Sequence, residues 1–353
     1  MVAGQKTAIH YLFLMQTTGL TLGKFAPLHA GHELLIRTAL EENDRVIVII
    51  YDAPEVTPIP LTVRANWIRS IFPRAEVIEA WDGPQETGYT PEIMKAQEDY
   101  ILALLQGERI HSFYSSEFYG QHVSAALGAV NRQIDPERKY FPVSGTAVRA
   151  NPFAHRTFLS PVVYPDLILN VVFLGAPSTG KTTLAREAAR LHHTVWMPEY
   201  GREYWEQHQI ARRLTLTQLE EIAIGHIKRE NKLLLEANRI LFTDTNALIT
   251  RRFALYYHGH DSVQLEKLTM EAERRYDVFF VCDTDIPYDD TWDRSGEANR
   301  AVFQKQIRSE LATRKIPYIL LSGSVEERLE LVTATLQRVE KYGNLLEGLM
   351  RPR

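Results

Sequence analysis

Two histidines, His29 and His32, stand three residues apart in the stretch GKFAPLHAGH (residues 23–32), with Gly31 between them and an apolar run before them. Imidazoles at the end of a strand and the start of a helix can donate hydrogen bonds to a phosphate and to the charge that develops on it during transfer. Unpaired N–H groups and the helix dipole already favour an anion there. Gly23 allows a tight turn, Pro27 stiffens the loop, Gly31 leaves room for phosphate between the rings, and Lys24 and Phe25 complete the candidate nucleotide-binding segment. Two core histidines are one alternative. A metal site is another, although apart from Glu33 the carboxylate or cysteine ligands it needs are lacking nearby. Further on, VSGTAVRANP (residues 143–152) provides Ser144 and Thr146 for helix capping and phosphate contact. Arg149 lies one turn later on the same helical face, within reach of β- and γ-phosphates. Read alone, that segment is equally a capped helix with a surface arginine.

A second stretch does similar chemistry by other means. GAPSTGKT (residues 175–182) fills every fixed position of GxxxxGK[ST] with Gly175, Gly180, Lys181 and Thr182, and encloses Pro177, Ser178 and Thr179. Chance produces such a match in on the order of one per cent of chains this long. The buried-type strand LILNVVFL precedes it and the helical TTLAREAARL, opening on Thr182 and Thr183, follows. In that setting the loop amides cradle phosphates, Lys181 reaches the β/γ oxygens and Thr182 ligates magnesium. The alternative is a glycine-rich turn. WMPEYGREYW supplies Glu199 as a candidate base for an attacking hydroxyl, with Arg202 after it, and RILFTDTN ends in Asp244, a candidate for the magnesium shell. Either acid can instead cap a turn. IPYDDTWDRSG carries Tyr288, Asp289, Asp290, Trp292 and Arg294. It reads as a loop near the nucleotide with Arg294 meeting phosphate, or as an ordinary polar surface loop.

These groups need a scaffold that ends strands beside helix starts. GLTLGKF, RVIVIIYDA, AEVIEAW and IHSFYSS read as strands, and HELLIRTALEEN, TVRANWIRSIF and PEIMKAQEDYILALL as helices. DLILNVVFLG, TVWMPEY, RILFTDT, YDVFFVCDTD and PYILLSG form a second strand series with helical stretches between. Alternation of this kind predicts an α/β chain with two doubly wound parallel-sheet domains, whose ligands bind beyond the carboxyl ends of the strands. Pro152, Pro161 and Pro165 interrupt regular structure between the series, so the expected domains are residues 1–165 and 166–353. No internal repeat or low-complexity tract is present. Forty basic and 44 acidic residues leave a net charge of −4, which argues against nucleic acid as a partner. Cys282 is the single cysteine, so no intrachain disulfide framework exists and a reducing cytoplasm is the expected compartment. Neither a membrane span nor a signal peptide is expected. The oligomeric state is open, a homo-oligomer included.

HAGH and SGTAVR resemble, in order, the two halves of the HxGH nucleotidyltransferase signature. The resemblance implies that His29 and His32 bind ATP phosphates and stabilise the transition state of adenylyl transfer. Fused to the GAPSTGKT unit, the chain resembles the bifunctional nicotinamide mononucleotide adenylyltransferase / ribosylnicotinamide kinase family of NAD salvage. That likeness runs from about Thr18 and rests on GKFAPLHAGH, VRANW, SSEFYG, DPERKYFPVSGTAVRANP, GAPSTGKT, PEYGREY, FTDTN and DDTWDRSG. It implies that the second domain makes nicotinamide mononucleotide from ribosylnicotinamide and ATP, and that the first joins this product to AMP, giving NAD and pyrophosphate. ATP would then be a substrate at both sites, with Mg2+. Arg64, Trp67, Arg202, Tyr288 and Trp292 become candidates for substrate contact. Trp67 would stack on a nicotinamide ring and Arg64 would lie near a phosphate. An amphipathic helix with a buried tryptophan and a solvated arginine is the alternative for that pair. Where the family pattern places a glycine after the paired acids Asp289 and Asp290, this chain has Thr291 and Trp292.

Rival readings are a different HxGH adenylyltransferase fused to a P-loop small-molecule kinase, a kinase with an inert first domain, and a nucleotide-sensing binding protein with little catalysis. Some members of the family carry an N-terminal helix-turn-helix repressor domain. The 22 residues before Gly23 are too few for that domain plus the first strand, and Lys6 is their only lysine or arginine. An enzyme without repressor function is therefore expected. In a gel-shift or anisotropy titration against promoters of the host's NAD-salvage genes at physiological salt, no sequence-specific binding tighter than micromolar should appear. Such binding would overturn this expectation.

Overall fold

Apolar strands followed by amphipathic helices build two compact units, residues 1–149 and 150–353. The computed structural model describes residues 16–84, 86, 88–117, 119–210, 213–288 and 297–343. In the first unit, β1 (Thr18–Gly23), β2 (Arg45–Tyr51), β3 (Ala75–Ala80), β4 (Ser112–Ser115) and β5 (Val130–Gln133) form an all-parallel sheet in the order β3-β2-β1-β4-β5. Its helices are α1 (Ala30–Glu42), α2 (Leu61–Ile71), α3 (Pro91–Leu105), α4 (Gly120–Leu127) and α5 (Gly145–Ala150). The chain leaves β1 toward β2 and β3, then returns to β4 and β5 on the other side. The crevice beyond β1 and β4 is therefore the switch point at which such sheets take ligands. Leu20, Ile47, Ile49 and Phe113 of the sheet pack on Ile101 and Leu105 of α3 and Val123 of α4.

In the second unit, β6 (Leu169–Leu174), β7 (Trp196–Met197), β8 (Ile240–Asp244), β9 (Val278–Cys282) and β10 (Ile319–Leu321) are again all parallel, in the order β10-β9-β6-β8-β7. The helices are α6 (Lys181–Leu191), α7 (Tyr200–His208), α8 (Leu216–Leu234), α9 (Ala247–His258), α10 (Val263–Arg275), α11 (Glu297–Thr313) and α12 (Val325–Leu336). Strand β6 is buried along its whole length, which accounts for its apolar run; its one polar residue, Asn170, donates its side-chain amide to the Arg275 carbonyl at 3.1 Å. Val171 and Phe173 pack with α6 and α12, while Val172 and Leu174 pack with α7 to α11. The register pairs Phe173 with Asp244, so β8 ends on its acid beside the loop that follows β6. The segment with Pro152, Pro161 and Pro165 lies in the second unit, where the Tyr164 hydroxyl donates to the Ala237 carbonyl at 2.6 Å. Among the described residues no helix is long and apolar enough to cross a membrane.

Every strand expected from the sequence is present. One more, β5, had no sequence counterpart. VNRQ is exposed throughout and carries one apolar residue, so neither burial nor alternation marks it. Its pairing with β4 makes it a strand.

Glu230 of α8 is fully buried, accepts from the Thr243 hydroxyl at 2.9 Å and pairs with Arg275 of α10. Removing one partner of a buried pair leaves an uncompensated charge. Arg275→Met should therefore lower unfolding stability by about 3 kcal/mol in urea titrations. An unchanged midpoint would mean that the pair does not support the second unit.

Candidate active sites

The turn after β1 and the start of α1 form one wall of a cleft of about 670 Å3, which the ends of β2 and β4, the segment leading into α3, α4, Arg138 and the α5 segment also line. His29 is the N-cap of α1 and makes no side-chain cap hydrogen bond, so the first turn's N–H groups are left to an incoming anion. The His29 and His32 rings stack 3.7 Å apart at 21°, and the Phe25 ring meets His32 edge-on at 5.1 Å. A Cβ on Gly31 would lie 3.2 Å from the His29 ring, so glycine lets that ring lie against the helix start. Burial, reinforced by the charge of Arg138, pushes His29 down from 6.5 to about 4. Burial, then His29 and Arg138, holds His32 well below its usual value. Both rings are neutral at pH 7 in the absence of a ligand, and Nδ1 of each is buried without a partner among the described residues.

The two halves of the first motif meet. Arg149 Nη1 donates to the Ala26 carbonyl at 2.6 Å and Nη2 to the Thr146 hydroxyl at 3.2 Å, while the Ser144 hydroxyl caps the turn by accepting from Ala147 N–H at 3.1 Å. Lys24 lines the cleft and pairs with Glu55 at 2.5 Å. Arg64 is placed differently from either expectation. It is not a solvated arginine but is fully buried. Nε donates to the Ile59 carbonyl (3.0 Å), Nη1 to the Tyr51 (2.9 Å) and Lys24 carbonyls, and Nη2 to Asp52 (3.4 Å). It clamps the turn after β1 to the end of β2. Trp67 is 2% exposed, which leaves no free ring face for a nicotinamide and makes it a core residue.

In the second unit Gly175 has φ +143°, and a Cβ there would stand 2.7 Å from the Cys282 carbonyl oxygen and 2.8 Å from Thr179 Oγ1. Ser178 (+59°) and Gly180 (+83°) complete the left-handed turns that aim the loop amides inward. The Thr179 hydroxyl and the Lys181 ammonium both donate to the Ala176 carbonyl, at 2.8 and 3.0 Å. Thr182 donates its hydroxyl to Asp244 Oδ2, and Asp244 Oδ1 is buried with no hydrogen-bond partner among the described residues. Burial and the neighbouring charge of Glu199 push the Asp244 carboxyl well above the ordinary range, against the opposing pull of Lys181, the Thr182 hydroxyl and Arg202. Lys181, Glu199 and Arg202 share a small cavity of about 50 Å3 with Gly175, Pro177 and Phe253. Thr183 sits in the first turn of α6.

The donor set beside the loop suits a hard cation. Thr182 and Asp244 offer oxygens, one of them orphaned and buried, and Mg2+ takes one or two protein ligands with phosphate oxygens and waters. No cluster of three or more His, Cys, Asp or Glu able to cage a metal occurs among the described residues. The Arg300 guanidinium stands over the Tyr288 ring at 5.7 Å. Asp289, Asp290, Trp292 and Arg294 lie outside the described residues.

Several groups that shape these sites carried no recognisable sequence pattern. Arg300 donates to the Ser178 carbonyl at 2.9 Å and Arg328 to the Thr179 carbonyl at 2.8 Å. Gln304 accepts from Ala176 N–H at 2.8 Å and donates to the Cys282 carbonyl at 2.9 Å. They sit on α11 and α12, well over 100 residues from the loop they hold, where a lone arginine or glutamine looks like any other helix residue.

These two sites define the class: a nucleotidyltransferase-type unit followed by a P-loop unit. Residues 20–151 match the cytidylyltransferase-like family and residues 170–328 an AAA-domain family. Over most of its length the chain is similar to the NadR proteins, in agreement with the resemblance carried by its motifs. It is 26% identical over 321 residues to the "Trifunctional NAD biosynthesis/regulator protein NadR" of Salmonella typhimurium (strain LT2), covering 85% of this chain and 78% of that protein. With the Escherichia coli (strain K12) protein of the same description it is 25% identical, covering 86% and 78%. A crystal structure of an NadR protein in complex with NAD and AMP-PNP has a TM-score of 0.56 at 22% identity, covering 91% of this chain and 96% of that one. A second, in complex with NR, has a TM-score of 0.56 at 24% identity, covering 91% and 95%. At these identities the structural likeness is one of fold.

The neutral histidines have a consequence for stability. His29 ionises near 4 when folded and near 6.5 when unfolded, so between those values the unfolded chain binds more protons. Its contribution to stability is whole above about 6.5 and is lost as pH falls toward 4. His29→Asn should therefore lose less stability than the wild type between pH 7 and pH 5 in urea titrations. Equal losses would contradict the burial of a neutral imidazole here.

Proposed function

We propose that the chain is a bifunctional NAD-salvage enzyme of the cytoplasm. In this reading the second unit phosphorylates ribosylnicotinamide with ATP to nicotinamide mononucleotide. The first unit then adenylylates that product with a second ATP, giving NAD and pyrophosphate. The observation that carries the reading is the presence of two phosphate-binding loops of different design, each after the central strand of its own sheet, at β1 and β6. The NAD-biosynthesis role of the relatives, and the NAD, NR and AMP-PNP bound in the related structures, support this choice of substrates.

In the second unit, Glu199 accepts the proton of the attacking riboside hydroxyl, and Lys181 with the loop amides takes up the charge on the transferred γ-phosphoryl group. Thr182 and Asp244 would hold Mg2+, which would neutralise phosphate charge there. In the first unit, an oxygen of the mononucleotide phosphate attacks the α-phosphorus of ATP and pyrophosphate leaves. His29, His32, Thr146 and Arg149 provide donors where the negative charge gathers. The imidazoles, neutral before ATP arrives, are protonated or strongly polarised by its phosphates.

Two substitutions separate the sites. Removing one preorganised donor costs about a hundred- to a thousand-fold in rate. His32→Ala should lower NAD synthesis from nicotinamide mononucleotide by that much and leave riboside phosphorylation intact. Lys181→Ala should abolish riboside phosphorylation and spare adenylylation. Product chromatography with each nicotinamide compound supplied separately reads both. Joint loss of the two activities in a folded variant would defeat the two-site reading.

A further inference from the structure

We propose that Arg138 is an additional polyphosphate-binding residue of the first cleft, held in place by Asp135, and that it grips the triphosphate of ATP and the pyrophosphate that leaves. This rests on the adenylyl-transfer reading of that cleft. Arg138 lies in the segment DPERKYFP between β5 and α5, which belongs to neither phosphate motif.

The segment is built to present this side chain. The Asp135 carboxylate accepts from the N–H groups of Lys139 (2.7 Å), Tyr140 (3.1 Å) and Phe141 (3.2 Å), and its carbonyl accepts from Arg138 N–H at 2.9 Å. Asp135 and Arg138 both have left-handed backbones, at φ +47° and +52°. For an arginine this conformation is uncommon and persists only where the surroundings impose it, as the Asp135 clasp does here. The guanidinium reaches the cleft, is about half-exposed and makes only a loose ion pair, 3.8 Å, with Glu117. Its charge is felt by both stacked histidines.

Charge within the cleft selects the ligand. Arg138, Arg149 and His32, with His29 stacked on it, mark the end of the cleft at the start of α1, where Glu117 is the carboxylate beside Arg138, whereas Tyr51, Glu86 and Tyr89 line it from the end of β2 and the segment before α3. Carboxylates and aromatic rings repel phosphate and suit an uncharged or cationic ring. A triphosphate carries several negative charges, and Lys24 is already neutralised by Glu55. Arg149 in turn spends one nitrogen on Ala26. Of the three cations Arg138 holds the loosest contact: its ion pair with Glu117 spans 3.8 Å, against 2.5 Å for Lys24 with Glu55 and 2.6 Å for Arg149 with the Ala26 carbonyl. A guanidinium forms paired, charge-assisted hydrogen bonds to phosphate that an ammonium cannot reproduce.

Calorimetric titration of inorganic pyrophosphate, in the full chain carrying Lys181→Ala to silence the second site, tests this directly. Arg138→Gln should weaken pyrophosphate binding about tenfold or more, and Arg138→Lys by less. In steady-state assays Arg138→Gln should raise KM for ATP in adenylylation and leave KM for nicotinamide mononucleotide within about twofold. Asp135→Ala should reproduce the effect in milder form, because the arginine remains but is no longer held. An unchanged urea-unfolding midpoint in the single variants, without Lys181→Ala, reports an intact fold of the first unit. Unchanged pyrophosphate affinity, or a rise confined to the mononucleotide KM, would overturn the proposal. If the wild-type chain made no NAD, the functional reading would fail while the pyrophosphate titration still decided the role of Arg138.

Discussion

A backbone loop that offers its N–H groups to phosphate must turn its carbonyls away, and each carbonyl that turns into the protein needs a donor. Both sites meet that constraint with arginine side chains. After β1, Arg64 takes the Lys24 carbonyl and Arg149 the Ala26 carbonyl. After β6, Arg300 takes Ser178, Arg328 takes Thr179, and Thr179 and Lys181 take Ala176. Arg64, Arg300 and Arg328 are at most 3% exposed. A guanidinium serves here because its fixed fork reaches two or three carbonyls at once while keeping its charge. The loops are thus formed before the nucleotide arrives, and binding spends little on ordering them.

A second common feature is that the groups placed for chemistry carry less charge before the ligand arrives than their types suggest. His29 and His32 are held neutral by burial, and Asp244 is pushed toward its neutral form by burial and Glu199. In the reading proposed above, each would be relieved by its ligand. Phosphates favour protonated imidazoles, and a divalent cation favours the ionised acid. Within each site like charges are thereby kept from facing one another, His29 against His32 in the first and Glu199 against Asp244 in the second.

The parts legible in the sequence are those that a phosphate imposes locally. GKFAPLHAGH and GAPSTGKT are contiguous because one strand–loop–helix unit builds each cradle, and the strands on which they sit are buried, β6 throughout and β1 over its first four residues. Asp244 was legible because it ends a strand, and the register brings it beside the loop. What the sequence hid is what arrives from a distance. Arg300, Gln304 and Arg328 reach the loop from helices far along the chain. Arg64 sits in an amphipathic helix whose pattern says nothing of the carbonyls its head will find, and Trp67 beside it proved to be core. Strand β5 was hidden because a polar edge strand owes its conformation to its neighbour.

The central claim is that one chain carries out two consecutive and chemically distinct attacks on ATP, at the γ-phosphorus in one unit and at the α-phosphorus in the other. Phosphorus-31 NMR of the full chain supplied with ribosylnicotinamide, ATP and Mg2+ follows both at once. The account predicts that ADP and pyrophosphate accumulate in equal amounts, each matching the NAD formed. Mononucleotide that builds up without pyrophosphate, or ATP that decays only to ADP and inorganic phosphate, would contradict it.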